Sequence, residues 1–108
     1  MERETNPLEV RRRGASLALV GEVDLNTSDL LRAELEMACR SGDGRGDVVV
    51  DFTDLTFIGS SGLHVLIETA AALHERRLVL VGGGWAAYVV NLLGLTVTYP
   101  NIVVGDVH

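Results

Sequence analysis

Apolar and polar positions along the chain follow two periods in turn, one of two residues and one of three to four. Leu8 to Arg13 and Ser16 to Val23 alternate apolar with small or polar residues on either side of Gly14-Ala15, which predicts a β-hairpin. Beyond it, Asn26, Thr27 and Ser28 offer N-cap side chains and Asp29 puts negative charge in a first helical turn. Leu31, Leu35, Ala38 and Cys39 then share one helical face, with Arg32 and Glu36 spaced as an i,i+4 pair on the other. Gly42 and Gly44, separated by Asp43, end that helix in a loose turn.

Val48-Val49-Val50 with Asp51-Phe52 is a short β-branched run followed by a polar turn, which marks a buried strand. Past Gly62, apolar residues recur at Leu63, Leu66, Ile67, Ala70 and Leu73, the period of an amphipathic helix, ending in the charged cluster Glu75-Arg76-Arg77. Leu78 to Val81 reads as another buried strand. Gly82-Gly83-Gly84 breaks it before Trp85 to Leu93, a short apolar helix stopped by Gly94. The triplet has neither the spacing of a dinucleotide fingerprint nor the Lys-Ser/Thr of a P-loop, so it reads as a turn. Val97 to Tyr99 would add a last short strand ended by Pro100, and Asn101 to His108 is too short and too β-branched for a closing helix. Strands alternating with helices imply a mainly parallel sheet with right-handed crossovers, the hairpin adding an antiparallel element.

The size, 108 residues, suits one folded domain over residues 8–108 behind a polar tail at residues 1–7. Nine basic against fifteen acidic side chains leave a net charge of −6, which argues against nucleic acid or an anionic membrane as partner. Arg11-Arg12-Arg13 is a local exception, its members pointing to alternate faces of a charged edge strand. The single cysteine, Cys39, reads as a small core residue, and no ligands stand at metal spacing, so no metal or other cofactor is expected. Neither a signal core nor an apolar run of about 20 residues is present, and a cytoplasmic protein is expected.

Gly59-Ser60-Ser61-Gly62 places two hydroxyls at a helix entrance, where free N–H groups favour an anion. By themselves these serines fit helix caps better than a modification site, with Gly62 permitting a close approach. Asp24 fits a cap for the first helix, and Asp51, near the end of the central strand, fits an acceptor for loop N–H groups. An enzyme reading is weak. The stretch is not a G-x-S-x-G nucleophile elbow, since Leu63 stands where Ser61 would need a second glycine. His64 follows Ser60 by four residues with no carboxylate placed to orient it, and His64, His74 and His108 lack a ligand pattern.

Gly21-Glu22-Val23-Asp24 followed by Asn26-Thr27-Ser28, the apolar strand carrying Asp51, the Gly59–Gly62 stretch and Leu92-Leu93-Gly94-Leu95 together resemble the STAS domain family over about Leu8 to Tyr99. The resemblance implies a single α/β domain with a mixed, mostly parallel β-sheet and flanking α-helices. It further implies a non-enzymatic bacterial regulator, an anti-sigma factor antagonist that binds an anti-sigma factor with serine kinase activity while unphosphorylated and so frees a sigma factor. Ser60 matches the serine that the kinase phosphorylates in such proteins, and a serine phosphatase would restore it. The partner surface would comprise Asp24, Gly59, Ser60, Ser61 and Gly62, with Gly21 and Asp51 as structural parts of the motif. The chain departs from the family at Gly59, where the pattern has an acidic residue. Gly59 favours the alternative, a STAS scaffold or sensor module that is not phosphorylated and binds a nucleotide, another small ligand or other STAS domains. Oligomeric state is not fixed by any of these features.

Overall fold

The computed structural model describes residues 8–42, 44–94 and 101–105, in the order β1 (Leu8–Arg13), β2 (Ser16–Val23), α1 (Ser28–Cys39), β3 (Val48–Ile58), α2 (Ser60–Leu73), β4 (Leu78–Val81), α3 (Gly84–Gly94) and β5 (Ile102–Val104). The strands lie in the sheet in sequence order. β1 runs antiparallel to β2, and β2 through β5 are parallel, so the mixed and mostly parallel sheet anticipated above is present.

One apolar cluster joins Leu17 and Leu19 of β2, Val48, Val50 and Phe52 of β3, and Leu78 and Leu80 of β4 to residues from all three helices. Alternation along each strand puts these side chains on a single face, and right-handed crossovers between neighbouring strands bring every helix to that face. Fully burying Phe52 contributes about 1.5–3 kcal/mol. Where the period predicts an inner helical face, Leu31, Leu35 and Ala38 are buried and Cys39 is half-buried, and burial pushes its thiol up.

Two elements differ from expectation. The central strand does not turn after Phe52 but continues to Ile58 as an 11-residue β3. Leu55 and Ile58 keep it on the core, while two register shifts against β2 absorb the poorly alternating residues between them. Gly21, at φ 110, sits at the second shift and accepts a hydrogen bond from the Thr56 hydroxyl at 3.0 Å. Asp51 is therefore mid-strand rather than near a strand end, its Oδ1 accepting from the Thr53 amide and hydroxyl. The second difference is β5. The expected strand at Val97–Tyr99 lies outside the described residues, as do Asp43 and the polar tail, and Ile102–Val104, where no strand was expected, pairs with β4. Asn101 anchors it, donating from Nδ2 to the carbonyls of Ala70 and Arg76 at 2.9 and 3.0 Å.

Surface charges tie the frame together. Arg11 pairs with Glu9 on its own strand and Arg12 reaches Glu34 of α1, as the alternate faces of β1 require. Arg76 donates to the carbonyls of Cys39 and Gly46, holding the end of α1 to the turn before β3.

Candidate functional site

The C-terminal ends of β2 and β3 carry the residues singled out in the sequence. Glu22 pairs with Phe57 and Val23 with Ile58, and the Gly59 amide donates to the Val23 carbonyl at 2.9 Å. The Asp24 loop and the Ser60 loop are thus adjoining.

Asp24 is held by its own loop. Its Oδ1 accepts from the amides of Asn26 and Thr27, and its carbonyl from those of Thr27 and Ser28. The buried Thr27 hydroxyl accepts from the Asp24 amide at 2.9 Å and donates to the Glu22 carbonyl at 3.0 Å. Thr27 occupies the N-cap position of α1 yet makes no side-chain cap bond, because its hydroxyl is engaged with the loop before the helix. Asp24 therefore shapes the turn rather than capping the helix with its side chain.

At α2 the cap reading of the serines fails. Gly59 is the N-cap residue, with no side-chain cap bond, and the first helical bond runs from the Leu63 amide to the Gly59 carbonyl. Ser60 is consequently the first helical residue. It is exposed, and its hydroxyl makes no hydrogen bond among the described residues, while Ser61 is half-buried. Gly62 turns inward, where an added Cβ would lie 2.5 Å from Val23 Cγ1 and 2.8 Å from Ile58 Cγ1. An added Cβ at Gly59 would lie 3.2 Å from the Phe57 ring, which takes the space where the family's acidic side chain would begin.

Two charged pairings differ from the sequence reading. Arg32 does not pair with Glu36; it bonds Asp29 at 2.6 Å and Glu68 of α2 at 3.1 Å, because α1 and α2 pack together. The Glu68 hydrogen bond, then its charge, raise the Arg32 guanidinium above its ordinary value. His64 does have an orienting carboxylate, since its Nε2 lies 3.1 Å from Glu68 Oε2 one helical turn on. The spacing of His64 and Glu68 was visible in the chain as an i,i+4 pair. Among the described residues no group of three or more His, Cys, Asp or Glu is placed to hold a metal.

A feature not anticipated in the sequence borders the Ser60 loop. A cleft of about 760 Å³ opens between the end of β3 and the start of α3, lined by Thr53, Phe57, Ile58, the turn at 82–84, Trp85 and Tyr88. The Trp85 and Tyr88 rings meet edge to face at 5.8 Å. Gly82, at φ 104, lets the turn pass so close to β3 that a Cβ there would lie 2.5 Å from the Thr53 amide nitrogen and 2.7 Å from Asp51 Oδ1. The glycine triplet is the floor of this cleft, where the sequence showed only a turn.

A sequentially ordered, mostly parallel sheet with its helices on one face and an exposed serine opening α2 defines a STAS-type domain. The family model described as "Mlab, STAS domain" matches residues 8–103, and the chain belongs to that family. Among solved structures it is similar to an anti-sigma factor antagonist from Mycobacterium paratuberculosis, at 26% identity and TM-score 0.67, over 89% of this chain and 83% of that one. It also shares the fold of the anti-sigma factor antagonist SpoIIAA in its unphosphorylated form, at 18% identity and TM-score 0.64, over 94% of this chain and 88% of that one. No curated protein matches the chain.

Proposed function

We propose that the chain is a cytoplasmic anti-sigma factor antagonist, a regulator rather than an enzyme, whose Ser60 loop docks on an anti-sigma factor with serine kinase activity. Phosphorylation of Ser60 by that partner releases it, and a serine phosphatase resets the switch. The observation that carries this reading is the placement of Ser60 in the first position of α2, exposed, with a hydroxyl that makes no hydrogen bond among the described residues, beside the Asp24 loop. A phosphoryl group adds about −1.5 to −2 charges. At a helix N-terminus that charge is favoured by roughly 0.3–1 kcal/mol, so the fold tolerates it. Inside a close protein contact the same charge costs several kcal/mol to desolvate unless it is paired, so the complex does not. Asp24 and Gly62 serve by shaping the two loops, and Gly59 and Ser61 flank the switch.

The test is calorimetric titration of wild type and Ser60→Glu against a panel of purified serine-kinase anti-sigma factors from the source organism. Wild type should bind a member of the panel and Ser60→Glu should bind it about tenfold or more weakly, with the melting temperature changed by less than about 2 °C. Equal binding by both proteins would remove Ser60 as the switch.

A second reading, a STAS module that binds a small ligand without phosphorylation, is favoured by the aromatic cleft and by Gly59. A nucleotide at 100 times its Kd should then stabilise the domain by about 2.7 kcal/mol in a thermal-shift measurement.

A further inference from the structure

The large exposed apolar residues among those described are Leu25, Met37, Phe57, Tyr88 and Val104. Leu25 lies in the Asp24 loop, Phe57 at the end of β3 and Tyr88 in α3, with exposures of 81%, 46% and 54%. Three of the five thus gather at the end of the sheet that carries Ser60. Exposed aromatic side chains around a concavity are what a protein contact uses as anchoring points.

Charge is divided along the same axis. Glu22 stands beside Phe57 on the neighbouring strand, and Asp24 and Asp29 flank the start of α1. Of the described arginines, Arg13, Arg40, Arg45, Arg76 and Arg77 sit at the opposite end, where β2, β3 and β4 begin, and Arg11 and Arg12 lie on the outer strand. Arg32, near the cleft end, is already paired with Asp29 and Glu68. The cleft is therefore an apolar opening with Glu22 beside its Phe57 wall.

We infer that the cleft between Phe57, Trp85 and Tyr88 receives an apolar side chain flanked by Lys or Arg on the anti-sigma factor, as a second anchor of the contact made by the Ser60 loop. This rests on the reading above, because the occupant is the same partner. Continuity supports it: Phe57 and Ile58 line the cleft and run straight into Gly59-Ser60, and a Cβ added at Gly59 would lie 3.2 Å from the Phe57 ring. The cationic flank meets Glu22, and the apolar side chain enters between the rings.

Trp85 is the only tryptophan in the chain, so incorporation of 5-fluorotryptophan gives one 19F resonance that reports on the cleft. The labelled protein is titrated with the same panel of purified anti-sigma factors, alongside the exposed variants Tyr88→Ala and Glu22→Lys. The inference expects the Trp85 resonance to shift on binding and each variant to raise Kd about tenfold or more. It also expects wild-type binding to weaken with added salt. Binding that still depends on Ser60, with no shift at Trp85 and with both variants within about twofold of wild type, overturns the cleft while leaving the Ser60 contact standing. Failure of every panel member to bind wild type overturns both.

Discussion

The Gly59 amide donates to the Val23 carbonyl at 2.9 Å, so the strand that delivers Asp24 and the loop that delivers Ser60 are joined through the backbone itself. The link extends the pairing of Val23 with Ile58 by one more bond. Two loops that belong to different parts of the sequence are therefore held as a single unit before any partner arrives, and little ordering cost is left for binding.

Gly62 is where this unit meets the helix. Alanine there gains up to about 1 kcal/mol in helix propensity, but its Cβ falls 2.5 Å from Val23 Cγ1 and 2.8 Å from Ile58 Cγ1. Relieving such an overlap in a packed core costs typically 1–3 kcal/mol, so the overlap wins. Gly62→Ala should unfold at lower urea concentration than wild type with an unchanged m-value. A midpoint equal to or above that of wild type would refute this account of the packing.

His74 closes α2 at φ 58 and ψ −105, a conformation L-residues rarely adopt. The strain amounts to roughly 1–3 kcal/mol, against about 0.4–1 kcal/mol of extra unfolded-state entropy that glycine brings. His74→Gly should raise stability by about 1 kcal/mol, measurable as an increase in melting temperature. A fall would show that the side chain contributes more than the backbone costs.

Asp47 is held below the ordinary carboxylate range chiefly by its hydrogen bonds from Arg77, at 2.7 and 3.0 Å, with burial opposing. A lowered folded value means that the pair stabilises above the unfolded pKa near 3.8, and that this contribution is lost as pH falls through the folded value. Asp47→Asn should therefore be less stable than wild type at neutral pH, with the gap closing as pH drops below about 4. Because both side chains are substantially exposed, added salt should also narrow it. A gap that persists unchanged into acid would exclude the ion pair as its source.

The hairpin, the three helices and the buried β4 were legible because their signals are local: period-two alternation, period-3.6 apolar faces, and Gly, Asn, Ser or Asp at their ends. The pattern also placed Asp24 and Ser60 at helix entrances, whereas their candidate roles came from the resemblance to the STAS family. The far half of β3 was not legible, because Thr53 to Phe57 breaks the alternation and only the pairing with β2, with its two register shifts, keeps those residues extended. β5 escaped notice because three residues carry little pattern, and their strand exists by virtue of the open edge of β4.

At the site, composition and spacing determined that a serine would stand at a helix entrance near an acidic loop. They did not determine what each group touches. Arg32 had three carboxylates within plausible reach, Asp29, Glu36 and Glu68, and the packing of α1 on α2 decided against Glu36. Thr27 looked like a helix cap and became the tie of the loop before it. Phe57, Trp85 and Tyr88 form one cleft although about 30 residues separate the first from the others, because the parallel crossover returns the chain to the same end of the sheet. Local pattern is set by interactions between near neighbours in the chain, whereas a site assembled from strand ends depends on the register and crossovers that only the folded sheet supplies.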